Sequence, residues 1–184
     1  FNTGNSALGE SFPEVMFILD ASGSMWGEVA GEPKIEVAKT VLAEVVPALP
    51  PEVKTGLTAY GHHRKGDCDD IEILIPSGGD DRAALLAAVR QISPKGKTPI
   101  AGSIQMIAES LKQKENETMI ILLSDGEETC DTEPCQTVKE LKDLGIHFVL
   151  YVVGFDVNKK HVNPVGVVVD GAGAYPSVAG APRA

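Results

Sequence analysis

Five residues in three separated stretches carry oxygen atoms that could do chemistry together. The first stretch is Asp20-Ala21-Ser22-Gly23-Ser24. The second is Gly96-Lys97-Thr98-Pro99-Ile100, and the third is Ser124-Asp125-Gly126-Glu127-Glu128. Asp20, Ser22, Ser24, Thr98 and Asp125 offer two carboxylates and three hydroxyls, with no nitrogen or sulfur. That is a hard donor set, suited to Mg2+, with Mn2+ or Ca2+ as alternatives, rather than to zinc. Asp-x-Ser-x-Ser sends alternate side chains the same way where the loop is extended. A site with only two carboxylates leaves a divalent ion electrophilic, open to an external carboxylate. Taken singly, each of these residues reads as a helix cap or a turn residue. The case for a site rests on all five standing at strand ends.

The elements that would put them there are readable. Val15-Met16-Phe17-Ile18-Leu19 is a short apolar run without alternation, as expected of a strand buried on both faces, and it ends at Asp20. Pro33 opens a helix in which Ile35, Ala38, Val41, Leu42 and Val45 follow at helical spacing, and Pro47 and Pro50 stop it. Val53, Thr55, Leu57 and Ala59 alternate in a second strand. A polar loop, His62 to Asp70, leads to a third strand, Ile71 to Pro76. That link holds no helix, so the third strand should run antiparallel at an edge. Arg82 to Ile92 forms a short helix with Leu85, Leu86 and Val89 inward. Ile100, Ile104, Ile107, Ala108 and Leu111 make the apolar face of another. Thr118 to Leu123 is a buried strand, Pro134 to Leu144 a helix ended by Gly145, and Ile146 to Val153 a last buried strand. Buried strands alternating with amphipathic helices predict an α/β, doubly wound, Rossmann-like sheet. It is mostly parallel, with one antiparallel edge strand and helices on both faces. In such sheets ligands bind beyond the carboxyl ends of the strands, where the strand order reverses. All three polar stretches fall there.

Asp-x-Ser-x-Ser after the first strand, a Thr in a later loop and Asp-Gly after the fourth strand together resemble the von Willebrand factor A family. The resemblance covers about residues 14 to 156, in the family's order and separations. It implies a metal-ion-dependent adhesion site. Ser22, Ser24 and Thr98 would bind the ion through hydroxyls, and Asp20 and Asp125 mostly through bound water. A partner's Asp or Glu would complete the shell. The stretches Asp20 to Gly27, Tyr60 to Asp70 and Asp125 to Cys135 look most similar to bacterial members, many of them exported. This places the chain in the periplasm, outside the cell or on its surface rather than in the cytoplasm. The missing Met, the odd cysteine and the atypical C-terminal segment motivate an alternative, a structural subunit of a larger complex or filament, and the resemblance also offers a regulatory subunit beside an ATPase.

Competing motifs are weaker. Gly96-Lys97-Thr98 looks like the end of a P-loop, but Gln91 stands where that motif needs Gly. Asp20-x-Ser22 lacks the second carboxylate of a phosphatase-type pair. No nucleophile with a base beside it is visible, so the chain reads as non-enzymatic. His62, His63 and Cys68 share one loop, but three candidate ligands there are weak evidence for a soft metal.

The cysteines number three. Cys130 and Cys135 bracket a short polar loop and are expected to pair as a disulfide, with two reduced thiols as the alternative. In the disulfide reading Cys68 is free or bonded to another chain. The net charge is −10, which disfavours nucleic acid as a partner. Asp67, Asp69, Asp70, Glu127, Glu128, Asp131 and Glu133 would draw a cation to the site face. No apolar run approaches the ~20 residues that span a bilayer. Residues 1 to 13 read as a leader or loop, and the start at Phe1 suggests that something upstream is missing. Residues 157 to 184 depart from the family pattern. Val165 to Val169 is expected to cover the open sheet edge, unless another chain does.

Overall fold

Val15 to Leu19 lies within β1 (Glu14–Asp20), and each residue of the run is almost wholly buried. The computed structural model describes residues 14–155, apart from 113, 115, 116, 127 and 131. The expected leader and the segment 157–184, with its strand at Val165 to Val169, lie outside the described residues. After β1 come a 3-10 turn (Gly23–Trp26), a small hairpin of β2 (Glu28–Val29) and β3 (Glu32–Pro33), and α1 (Lys34–Ala48). Then follow β4 (Thr55–Tyr60), β5 (Ile71–Gly79), α2 (Arg82–Gln91) and α3 (Ile100–Leu111). The described chain closes with β6 (Thr118–Ser124), α4 (Pro134–Asp143) and β7 (Phe148–Gly154).

The sheet order is β5-β4-β1-β6-β7. β1 pairs parallel with β4 and β6, and β6 with β7, while β5 runs antiparallel to β4 at the edge. The fold class is as the sequence predicts. Period-2 alternation in β1 divides the core between two faces. Val15, Phe17 and Leu19 pack with Ile35, Ala38 and Leu42 of α1 and with Leu85 and Val89 of α2. Met16 and Ile18 pack on the other face with Ile100, Ile104 and Ile107 of α3 and with Val138 and Leu141 of α4.

The differences are local. Val46, not Val45, is the inward residue in the last turn of α1, continuing the i+3/i+4 series Ile35, Ala38 and Leu42. α1 runs one residue beyond Pro47. The stretch before it holds an unforeseen hairpin, whose turn residues Ala30 and Gly31 have φ of 54° and 86°. Positive φ at both central positions matches the twist of paired strands. β5 continues past Pro76 to Gly79, which an edge strand allows because one side needs no donor. α4 ends as expected at Gly145, where Gly145 N–H donates to Lys142 and Ile146 N–H to Leu141.

The cysteine pairing is corrected. Cys68 bonds to Cys130, with Cα atoms 5.7 Å apart, and Cys135 is an exposed thiol. Cys135 falls in the first turn of α4, while Cys130 lies in the loop after β6. The loop after β4 folds back to meet that loop. Asp70 holds it there by accepting the backbone N–H groups of His63 and Arg64 at 2.8 Å each. Cys68 is therefore spent within this chain and is not a link to another.

Candidate functional site

β1, β4 and β6 end side by side at Asp20, Tyr60 and Ser124. The chain moves from β1 to one side through β4 and β5, then returns to the other side with β6. The crevice at that reversal is where an α/β sheet presents a ligand site.

A chain of hydrogen bonds starts below it. The buried Tyr60 hydroxyl donates to Ser124 Oγ at 3.3 Å, and Ser124 donates to Asp20 Oδ2 at 2.5 Å. The backbone N–H of Ser22 donates to Asp20 Oδ1 at 2.7 Å. Both Asp20 oxygens are thus held, and the side chain cannot swing. Burial pushes the Asp20 carboxyl above its usual range, against the bonds from Ser124 and Ser22. Burial, then the Asp20 charge, drives the Tyr60 phenol well up, so it stays protonated as a donor.

Above Asp20 the hydroxyls begin. Ser22 Oγ lies 3.0 Å from Ser24 Oγ, and Ser24 donates to Asp125 Oδ1 at 2.7 Å. Lys34 Nζ reaches Asp125 Oδ2 at 2.9 Å. Ser22 is buried and Ser24 exposed, so the group opens to solvent at Ser24. Thr98 arrives from the other side. A Cβ placed on Gly126 would lie 3.8 Å from Ser24 Oγ and 3.9 Å from Thr98 Oγ1. All five sequence-predicted residues therefore meet at one end of the sheet.

Backbone contacts fix the loops that carry them. Ser22 pairs with Gly96 in an isolated bridge, Gly23 N–H donates to Gly96, and Gly96 N–H donates to Gly61 at 2.7 Å. A Cβ on Gly96 would come within 2.7 Å of both Arg64 O and Gly61 Cα, and one on Gly61 within 2.6 Å of Lys97 O. Only residues without a side chain allow these backbones to approach so closely.

Three contributors escaped the sequence reading. Thr129 Oγ1 accepts Thr98 N–H at 2.8 Å, and Thr129 N–H donates back to the Thr98 carbonyl. Glu128 accepts Ala101 N–H in the first turn of α3 and Cys130 N–H, both at 2.8 Å. Lys34 is the third. Nothing in the spacing of these residues announces their roles, because each acts between loops distant in sequence. Glu128 and Asp70 also lose the role of free surface charge, since both are engaged by backbone N–H groups. Asp70 is 2% exposed. Its burial alone would raise its pKa, but the N–H groups of Arg64 and His63 and the nearby imidazoles outweigh this and hold it low. Glu127 and Asp131 lie outside the described residues.

Glu128→Ala should cost about 3 kcal/mol or more, because two backbone donors each lose a hydrogen bond to a charged group that contributes about 1.5–3 kcal/mol. Urea unfolding would show it as a lower midpoint at unchanged slope. An unshifted midpoint would mean that solvent replaces the carboxylate without loss.

The von Willebrand factor type A domain model matches residues 15–128. The chain belongs to that family. It is 29% identical over 171 residues to the uncharacterized protein YwmC of Bacillus subtilis (strain 168), covering 88% of this chain and 74% of YwmC. It is also 26% identical over 158 residues to YwmD of the same organism, covering 79% of this chain and 69% of YwmD. Among solved structures it resembles the pilus adhesin SpaC of Lactobacillus rhamnosus GG, with a TM-score of 0.64 and 16% identity over 84% of this chain and 26% of SpaC. It resembles a von Willebrand factor type A protein from Catenulispora acidiphila at a TM-score of 0.60 and 19% identity, over 78% of this chain and 33% of that one. Manganese-loaded TRAP of Plasmodium vivax superposes at a TM-score of 0.55 and 15% identity, over 82% of this chain and 60% of TRAP. This chain thus spans about a third or less of the first two solved proteins.

Proposed function

We propose that this domain is a non-enzymatic, divalent-cation-dependent protein-binding module of the adhesion type. The observation that carries the reading is the continuous set of oxygens from Ser22 through Ser24 to Asp125, with the Thr98 hydroxyl facing the same point. The donors fit a hard ion, and Mg2+ is the first candidate, with Mn2+ or Ca2+ as alternatives. Ser22, Ser24 and Thr98 would offer hydroxyls, and Asp20 and Asp125 would hold those hydroxyls and balance charge. Bound there, the ion supplies an electrophilic position for an Asp or Glu of a partner protein. Shared architecture with a pilus adhesin and with manganese-loaded TRAP supports this reading, as does family membership.

An internal disulfide favours an oxidising location, outside the cell, in the periplasm or at the surface. It counts against a cytoplasmic regulatory subunit beside an ATPase. None of the described helices is long and apolar enough to cross a membrane. A second reading, assembly into a larger complex, keeps one specific support. The exposed thiol of Cys135 is left over in a disulfide-bonded protein, which favours a covalent link between chains.

The test is a Mg2+ titration followed by calorimetry and by melting temperature. Wild type should bind about one equivalent and melt higher in Mg2+. Ser22→Ala with Ser24→Ala should lose both responses while keeping its circular dichroism spectrum. A double variant that binds Mg2+ as wild type does would refute the site. A pull-down in Mg2+, eluted with EDTA, would then identify the partner.

A further inference from the structure

The loop after β4 carries a second group of donors with different chemistry. His62, His63 and Glu72 each bring one ligand atom to within 4.8 Å of the others. His62 Nε2 lies 3.3 Å from Glu72 Oε2, and His63 Nδ1 lies 3.7 Å from the same oxygen. Two ligands on one tetrahedral zinc ion, each about 2.0–2.1 Å from it, stand about 3.4 Å apart. These two spacings to Glu72 are within a few tenths of that value, and the two imidazole donors lie within 4.8 Å of each other. Cys68, the third candidate in sequence, is removed by its bond to Cys130, and Glu72 of β5 takes its place.

The frame around these donors is rigid. The His62 ring is 6% exposed, and its buried Nδ1 has no hydrogen-bond partner among the described residues. Asp70 fixes the backbone at His63 through its Oδ2, and its Oδ1 lies 3.5 Å from His63 Nδ1. Gly61 N–H donates to the Asp70 carbonyl at 2.9 Å, closing the loop at its neck. His63 and Glu72 are 57% and 48% exposed, so an ion could enter and a coordination position would face solvent. Two imidazoles and one carboxylate with an open position form the ligand set of a borderline transition metal. A hard Mg2+ ion has little use for the nitrogens.

We propose that His62, His63 and Glu72 form a transition-metal site, for Zn2+ in the first instance, separate from the oxygen site at Ser22, Ser24 and Asp125. The open position would take a water or a donor from a molecule docked on the same end of the sheet. Gly61, the residue before His62, packs against Ala21 and Lys97, so this site borders the loops that hold Ser22 and Thr98.

The experiment is a Zn2+ titration against a chromophoric chelator, in excess Mg2+, on the full chain carrying Ser22→Ala and Ser24→Ala. That background removes the oxygen site, so failure of one proposal is separable from failure of the other. The expected result is one Zn2+ bound in competition with the chelator. Adding His63→Ala or Glu72→Ala should weaken it about tenfold or more, with the fold intact because both side chains are largely exposed. His147→Ala should change nothing. Co2+ in place of zinc should give the strong visible absorption of a tetrahedral site, lost in His63→Ala. Zinc binding that is absent, or equally tight after His63→Ala and Glu72→Ala, overturns the proposal.

Discussion

Cys68→Ser with Cys130→Ser should lower folding stability by about 4 kcal/mol, and Cys135→Ser should leave it unchanged. The two bonded residues are 62 apart in sequence. Closing a loop of that size in the unfolded chain removes about 4 kcal/mol of conformational entropy at room temperature, on the chain-entropy model. A bond between Cys130 and Cys135 would close only a short loop and contribute about 2 kcal/mol on the same model. The two pairings therefore differ in magnitude and in which variants respond. Urea unfolding without reductant decides between them. Equal losses in Cys68→Ser and in the double variant, beside a silent Cys135→Ser, fit the observed pairing. Loss in Cys135→Ser with none in Cys68→Ser would overturn it. The same bond ties the loop after β4 to the loop after Asp125. Mg2+ affinity should fall along with stability, since the Asp125 loop loses its anchor.

Much of this domain was legible in the sequence because its signals are local. The face Ile100, Ile104, Ile107, Ala108 and Leu111 is buried throughout, since helical periodicity alone selects it. The unbroken apolar runs at Val15 and Thr118 became β1 and β6 because a short run without alternation suits a strand buried on both faces. The loops that carry Asp20, Ser22, Ser24, Thr98 and Asp125 were legible because the ends of parallel strands are where an α/β sheet puts its polar loops. What stayed hidden depends on contacts between loops. No spacing says that Cys68 meets Cys130, that Glu128 engages the start of α3, or that Glu72 stands beside His62. The first and last depend on how the loop after β4 folds back, which Asp70 sets through backbone bonds, and the second on how the loop after β6 meets α3. The acidic residues read as a uniform cation-attracting face divide for the same reason. Asp70 and Glu128 work as structural acceptors, and Asp67 accepts Asp69 N–H and pairs with Arg64, while Asp69 and Glu133 are exposed.

Gly96→Ala should weaken Mg2+ binding by about tenfold or more, although Gly96 offers no ligand atom. The added Cβ would meet Arg64 O and Gly61 Cα at 2.7 Å, closer than side-chain carbons tolerate, and both obstacles are backbone. Relief requires the Thr98 loop to move away from the loop after β4. It would also break the bond from Gly23 N–H to Gly96 that aligns the Ser22 stretch with the Thr98 stretch, and the bond from Gly96 N–H to Gly61. Overpacking of this kind costs about 1–3 kcal/mol, and displaced supporting contacts around a metal lower its affinity about 10–100-fold. Thr98→Val is the informative companion. It keeps the side-chain shape and deletes only the hydroxyl, so Mg2+ affinity should fall while the melting temperature stays near wild type. Gly96→Ala should lose both. If Gly96→Ala is destabilised yet binds Mg2+ with native affinity, the Thr98 loop is not what completes the site. The cation would then rest on Ser22, Ser24 and Asp125 alone.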